Sequence, residues 1–256
     1  MSELEENLRK SMQTLAKLVK RLIQGAEKAK VQVESRRGVQ PVLSLESQLS
    51  NEKIRELIKH SEEKMISACL PGLAGKKAVE VGEAPARFLS KLLQRGAELG
   101  VAVEMSGSLA HSQQGNLSRG YIVKGSAAAL PFADASVDYV VARIASPLQG
   151  DVSKVLQELG RVLSMGGQGI VLDYHPYGLY ATRGLSRVKS LESSLRHVQD
   201  YYKTCRDAGI RVIDFRETHL DESVRSLFAE KEISLYRHLK GTPLVAGYFV
   251  YKPKRM

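Results

Sequence analysis

Glu80 and Glu104 are the residues whose type and spacing point most directly to chemistry. Glu80 lies in V-E-V-G-E-A-P-A-R-F (Val79 to Phe88), where a short apolar run ends in Gly82 and helical spacing resumes at Phe88, Leu89, Leu92 and Leu93. In a doubly wound fold, the first strand-to-helix turn is where a nucleotide-like ligand meets backbone amides at a helix N-terminus. Glu104 follows Glu80 by 24 residues, at the end of the next apolar run. An acidic side chain at that place accepts hydrogen bonds from both hydroxyls of a ribose. The same residues also admit plainer roles: polar strand ends for the two glutamates and a tight turn for Gly82. Asp134 and Asp138 read as turn or cap residues rather than catalysts.

The elements that would position these residues are legible from periodicity. Leu4, Leu8, Met12, Leu15, Val19, Leu22 and Ala26 recur at spacings of three and four, which predicts a long helix over residues 2–33. Gly38 and Pro41 mark a connector, and Ser50 is the expected N-cap of a second helix that Pro71 and Gly72 stop. Beyond Lys76, apolar strands are expected at 77–82, 101–105, 121–124, 137–144, 169–174, 210–215 and 244–251. Helices are expected at 152–163, 190–208 and 221–239. Strands alternating with helices imply an α/β domain with a mostly parallel sheet covered on both faces. The expected division is an N-terminal helical arm and connector at 1–49 and an α/β domain at 50–256.

Four linked stretches, in order, resemble the class I S-adenosylmethionine-dependent methyltransferases, particularly the small-molecule members called type 11. Glu80-Val81-Gly82 is similar to the acidic-x-Gly start of that family's first motif, and Val101 through Ser106 to its second. Ala129 through Asp138 (A-L-P-F-A-D-A-S-V-D) is similar to the recurring A-x-x-L-P-F-x-D-x-S-F-D stretch. Leu156 through Gly167 resembles the helix that ends in R-V-L-K-P-G-G before the fifth strand. The resemblance covers about residues 76–256. It implies a doubly wound, seven-stranded Rossmann-like sheet, S-adenosylmethionine as cofactor, and a cofactor site formed by Glu80, Gly82, Ala84, Glu104, Met105, Ser126 and Ala127. The chain departs from the pattern in two places. The family's G-x-G-x-G is Gly82-Glu83-Ala84-Pro85-Ala86 here, and Ser126-Ala127 stands where Asp-Ala is frequent. Glycine serves such a loop through positive φ and close backbone approach.

On the acceptor side, Arg143 to Leu148 lacks the N-P-P-Y-type signature of amino-group methyltransferases acting on nucleic acid or protein. The run Asp173-Tyr174-His175-Pro176-Tyr177-Gly178 looks like the corresponding segment of small-molecule members. It makes His175 and Tyr177 the candidate catalytic residues, His175 as a base or substrate contact. The alternatives are a histidine packed at a strand end, with Tyr177 and Tyr180 covering the sheet edge.

Composition narrows the classes. The 256 residues include 38 Lys plus Arg against 28 Asp plus Glu, two cysteines and no tryptophan. No apolar run reaches the ~18 residues that span a bilayer, and the acidic N-terminus matches neither a secretory signal nor a transit peptide. A cytoplasmic protein is expected. Cys69 and Cys205 stand apart without metal-ligand spacing. The net charge of +10 divides into +4 over residues 1–76, zero over 77–182 and +6 over 183–256. It therefore points to an acidic partner or anionic surface at the periphery rather than to the cofactor-binding half. Three readings follow. One is a methyltransferase acting on a small molecule. Another is a catalytically degenerate relative that serves as a binding or assembly subunit, through a homo-oligomer or protein contact of residues 1–35. An RNA methyltransferase ranks last, for want of a nucleic-acid-binding module.

Overall fold

In the computed structural model, a compact unit spans Leu49–Met256. The structure describes residues 49–82, 86–104, 119–144, 151–179 and 197–254. The expected helix at 2–33 and its connector lie outside these residues.

Helix α1 (Asn51–Cys69) begins where the sequence places it, with the Ser50 hydroxyl accepting from Lys53 N at 3.1 Å. Leu70, just before Pro71, is extended and ends it. Then follow β1 (Lys77–Gly82), α2 (Leu89–Gln94), β2 (Leu99–Glu104), β3 (Gly120–Lys124), β4 (Val137–Arg143), α3 (Val152–Val162) and β5 (Leu163–Tyr174). The chain ends with α4 (Val198–Asp207), β6 (Arg211–His219), α5 (Ile233–Leu239) and β7 (Pro243–Tyr251).

The seven strands form one sheet in the order β3-β2-β1-β4-β5-β7-β6. Pairings from β3 through β5 are parallel, and β7 runs antiparallel between β5 and β6. The sheet is thus doubly wound, and its strand order reverses beside β1, where such folds place their ligand. Four elements differ from the periodicity. The helix expected over 190–208 begins at Val198, after an extended His197, and β6 runs on to His219 past the expected end at Phe215. Strand β5 starts at Leu163, which pairs with Val137, rather than at Gly169. The helix expected over 221–239 is divided into 3₁₀ turns at Glu222–Leu227 and Glu230–Glu232, followed by α5. The cause is local: Asp221 caps Ser223 N at 2.9 Å, and Glu232 accepts from Ala229 N at 2.9 Å, so a new start forms inside the expected helix.

Alternation sorts the strand residues onto two faces. Val79, Val81, Val101, Val103, Val140 and Ala142 join Val155, Leu156 and Leu159 of α3 and Tyr201 and Cys205 of α4 in the main core. The opposite face carries Glu80 and Gly82 of β1, Glu104 of β2 and Arg143 of β4, with Gly82 and Glu104 register partners. Helices α1 and α2 cover that face. A β-carbon at Gly100 would lie 2.6 Å from Leu89 Cδ1, and one at Gly247 would collide with Met65 Sδ. Lys91 of α2 also donates to the Ser67 hydroxyl of α1 at 2.6 Å.

Candidate active site

The candidate site lies at the carboxyl ends of β1, β2 and β4. Gly82 and Glu104 are register partners, so both strands deliver their last residue to the same level. Glu80 is 1% exposed. Its Oε2 accepts from Phe88 N at 3.0 Å and Leu89 N at 2.9 Å, which locks the turn after β1 onto the start of α2. Burial raises the Glu80 pKa, opposed by the Arg143 guanidinium and those two N–H groups.

Arg143 ends β4 with a side chain 9% exposed, and its Nη2 lies 3.5 Å from Glu80 Oε1. A β-carbon at Gly82 would lie 3.1 Å from Arg143 Cβ and 3.2 Å from Nε and Nη2. The guanidinium therefore covers the bare α-carbon of Gly82. The Phe88 ring lies under two guanidinium groups, with the Arg143 carbon 5.6 Å and the Arg87 carbon 5.0 Å from its centroid. Arg87 carries the cluster across to α1. It donates to Glu62 Oε2 at 2.6 Å, to Glu63 Oε1 at 3.3 Å and to the Lys59 carbonyl at 3.0 Å. Glu62 is itself buried, and desolvation raises its pKa against the two arginines. Two buried carboxylates and two guanidinium groups thus meet under the turn.

Sequence reasoning missed three members of this cluster. Glu62 had a signal, since it falls on the helical stripe Ile54, Ile58, Glu62, Ile66 where every other member is apolar. Arg143 had one too, as the lone charge ending V-V-A-R-I. Arg87 had none, because its partners come from a helix 24 to 28 residues upstream.

The other expected cofactor residues fall as follows. Glu104 is fully buried at the end of β2, and its carbonyl accepts from Gly125 N at 3.0 Å. Ser126 and Ala127 follow β3. The Ser126 hydroxyl accepts from Ala128 N at 3.2 Å, so it braces its own turn, and Ala127 is buried. Ala84 and Met105 lie outside the described residues. Ala86 is described and has φ +69°. This conformation suits glycine, and an L side chain pays about 1 kcal/mol for it. Ala86→Gly is expected to stabilise the fold by about 1 kcal/mol, seen as a rise of roughly 3 °C in the thermal midpoint. An unchanged or lowered midpoint would show that the strain is taken up elsewhere.

His175 and Tyr177 stand apart from this cluster, beyond β5. His175 is 5% exposed. Its Nε2 is 2.8 Å from Glu217 Oε2, and its Nδ1 accepts from Tyr177 N at 3.2 Å. Both ring nitrogens are therefore engaged, and the backbone bond assigns the proton to Nε2. Burial lowers the His175 pKa against the pull of Glu217. Tyr177 is 62% exposed, and its hydroxyl meets His197 Nδ1 at 3.1 Å. Behind them lies Asp173, 2% exposed and hydrogen-bonded by the Tyr201 hydroxyl. Among the described residues no group of His, Cys, Asp and Glu could hold a metal ion.

This strand order, with an acidic residue and a glycine closing β1 and an acidic residue closing β2, is the class I methyltransferase arrangement. Residues 79–171 match the family model described as a methyltransferase domain. Over those residues the chain is similar to the methyltransferase domain, and its fold is the Rossmann-like one of S-adenosylmethionine-dependent methyltransferases. It is 38% identical over 98 residues to the malonyl-[acyl-carrier protein] O-methyltransferase 1 of Coxiella burnetii, covering 37% of this chain and 31% of that protein. It is 28% identical over 134 residues to the biotin biosynthesis bifunctional protein BioHC of Cellvibrio japonicus, covering 52% of this chain and 25% of that protein. The matches thus span a third or less of those relatives' own length. An S-adenosylmethionine-dependent methyltransferase from Mesorhizobium loti shares the fold at a TM-score of 0.59 and 15% identity, over 74% of this chain and 97% of that one. No helix among the described residues is long and apolar enough to cross a membrane.

Proposed function

We propose that this chain binds S-adenosylmethionine at the ends of β1, β2 and β4 and catalyses methyl transfer to a small-molecule acceptor. The observation that carries the reading is the register pair Gly82–Glu104 beside a turn locked by Glu80. The donor set fits the group. Glu104 supplies a carboxylate for a ribose diol, Gly82 a backbone without a β-carbon, and Arg143 a cation at the same level. Ala84, Met105, Ser126 and Ala127 complete the set by their place in the motifs. The fit carries one condition: the Arg143 side chain must leave Gly82 for a ligand to lie there. When bound, the cofactor supplies a sulfonium methyl group for in-line transfer.

The chain's own contribution is position and exclusion of water. Glu80 fixes the turn, α1 and α2 close one face, and Tyr177 offers an exposed hydroxyl on the acceptor side. His175 holds the backbone of Tyr177 and acts through it. The likeness to an O-methyltransferase of a malonyl carrier supports an oxygen acceptor. Residues 1–35 would carry any homo-oligomer or protein contact, and the basic periphery would suit an acidic partner.

A second reading, a binding or assembly subunit without catalysis, is favoured by one observation. Arg143 fills the place over Gly82. Isothermal titration of the full chain decides between the two. Saturable heat with S-adenosylmethionine is expected, and Glu104→Ala should weaken it about tenfold or more. No heat and no thermal shift at millimolar ligand would favour the subunit.

A further inference from the structure

The turn that follows β5 is closed twice, once by backbone and once by a side chain. Gly178 N donates to the His175 carbonyl at 2.9 Å, and Pro176 takes the first central position, where its fixed φ suits a turn. Tyr177 N, the other central position's donor, goes to His175 Nδ1 at 3.2 Å. A neutral imidazole has one N–H and one lone pair, so this bond requires the proton on Nε2. Nε2 meets Glu217 Oε2 of β6 at 2.8 Å, and the two side chains are 7% and 39% exposed. At its tip the turn carries the Tyr177 hydroxyl, 3.1 Å from His197 Nδ1.

By accepting from Nε2–H, Glu217 fixes both the tautomer of His175 and the plane of its ring. A proton added at Nδ1 would set two N–H donors face to face, one on the ring and one on Tyr177, and would undo the side-chain closure. Burial disfavours that second proton, while the Glu217 charge favours it. From β6 the ring also faces His219, whose Nε2 lies 3.4 Å from the other Glu217 oxygen. From β5 Asp173 stands behind it, bonded by the Tyr201 hydroxyl of α4, and from β7 the Leu244 carbonyl accepts from His175 N at 3.1 Å. His197, the residue before α4, meets Tyr177.

We propose that Glu217 is a positioning residue of the acceptor side, which acts through the Nε2–H of His175 to hold the turn at Tyr177 and so sets where the Tyr177 hydroxyl stands. The inference rests on the methyl-transfer reading above, which puts the acceptor beside Tyr177, and adds to it a residue from the edge strand of the sheet. The turn is fully closed at neutral pH, where His175 carries one proton. It loosens as the pH falls through the His175 titration. The same fall costs stability, because the unfolded chain takes up that proton more readily than the buried ring does.

The test is nitrogen NMR of the full chain, without cofactor or acceptor. Long-range correlations of the His175 ring should show a protonated Nε2 and a bare Nδ1 at neutral pH. Acidification should protonate Nδ1 and lower the exchange protection of the Tyr177 amide in one step. Glu217→Gln keeps an acceptor for Nε2–H without the charge, so it should leave the neutral-pH turn unchanged and move that step to lower pH. Glu217→Ala removes both and should lower Tyr177 protection about tenfold at neutral pH, which the glutamine variant restores. The wild-type titration and the glutamine variant carry the test if the alanine variant melts early. A proton on Nδ1 in the wild type would overturn the inference while leaving the methyl-transfer reading intact. So would a His175 titration that Glu217→Gln fails to move, or unchanged Tyr177 protection in Glu217→Ala. Absence of S-adenosylmethionine binding in the calorimetric titration above would instead overturn the acceptor-side role and leave Glu217 a brace of the turn.

Discussion

Glu80→Ala is expected to lower stability by about 3 kcal/mol, a fall of roughly 10 °C in the thermal midpoint for a domain of this size. The substitution leaves the buried amides of Phe88 and Leu89 without their acceptor and removes the carboxylate facing Arg143. The Glu80–Arg143 pair need not be favourable against an apolar replacement of both members. Its burial already pushes the Glu80 pKa up. Taking away one member is different, because a buried guanidinium loses one of the charges that compensate it. Glu80→Gln separates the contributions. Its amide oxygen still accepts from both backbone groups, so it should keep more than half of the lost stability. Thermal unfolding of the three proteins at neutral pH is the measurement. A midpoint for Glu80→Ala within about 2 °C of wild type would mean that the turn after β1 is held by other contacts.

Gly160→Ala is expected to cost about 3 kcal/mol as well, although helix propensity alone predicts a gain of about 1 kcal/mol for the same change. Gly160 sits inside α3, where the added β-carbon would overlap the carbonyl oxygen of Ala208 at the end of α4. The obstruction is backbone, so no side-chain rotation relieves it. The Gly160 carbonyl also accepts from Lys252 Nζ at 2.7 Å, which limits how far α3 can retreat. Chemical denaturation reads the sign directly. Stabilisation would show that α3 and α4 can separate freely, whereas destabilisation with an unchanged denaturant slope places the clash in the native state.

Most of the frame was legible because its signals are local. The Ser50 cap, the stop at Pro71, the apolar strands and the loop with Gly82 each depend on neighbours within a few positions. The resemblance carried by the motifs from Glu80 to Gly167 then implied the doubly wound sheet, and the strand order agrees with it. The failures share a cause of the opposite kind. Helical spacing over 221–239 says nothing about the caps at Asp221 and Glu232, which break one expected helix into three pieces. The partner of His175 was equally hidden: Glu217, from a strand 42 positions away, meets its Nε2, and no local signal announces that contact.

What the amino-acid sequence by itself determined, then, is a resemblance and its fold: a doubly wound, methyltransferase-like sheet with an altered glycine loop and a neutral central third. What only the tertiary structure decided is who meets whom at the site. Glu62, Glu80, Arg87 and Arg143 are spread over 82 residues and converge because parallel register sets the ends of β1 and β4 side by side beneath α1. Hydrophobic periodicity is written in each segment. The pairing of buried charges is not, since its energy exists only once folding has removed them from water.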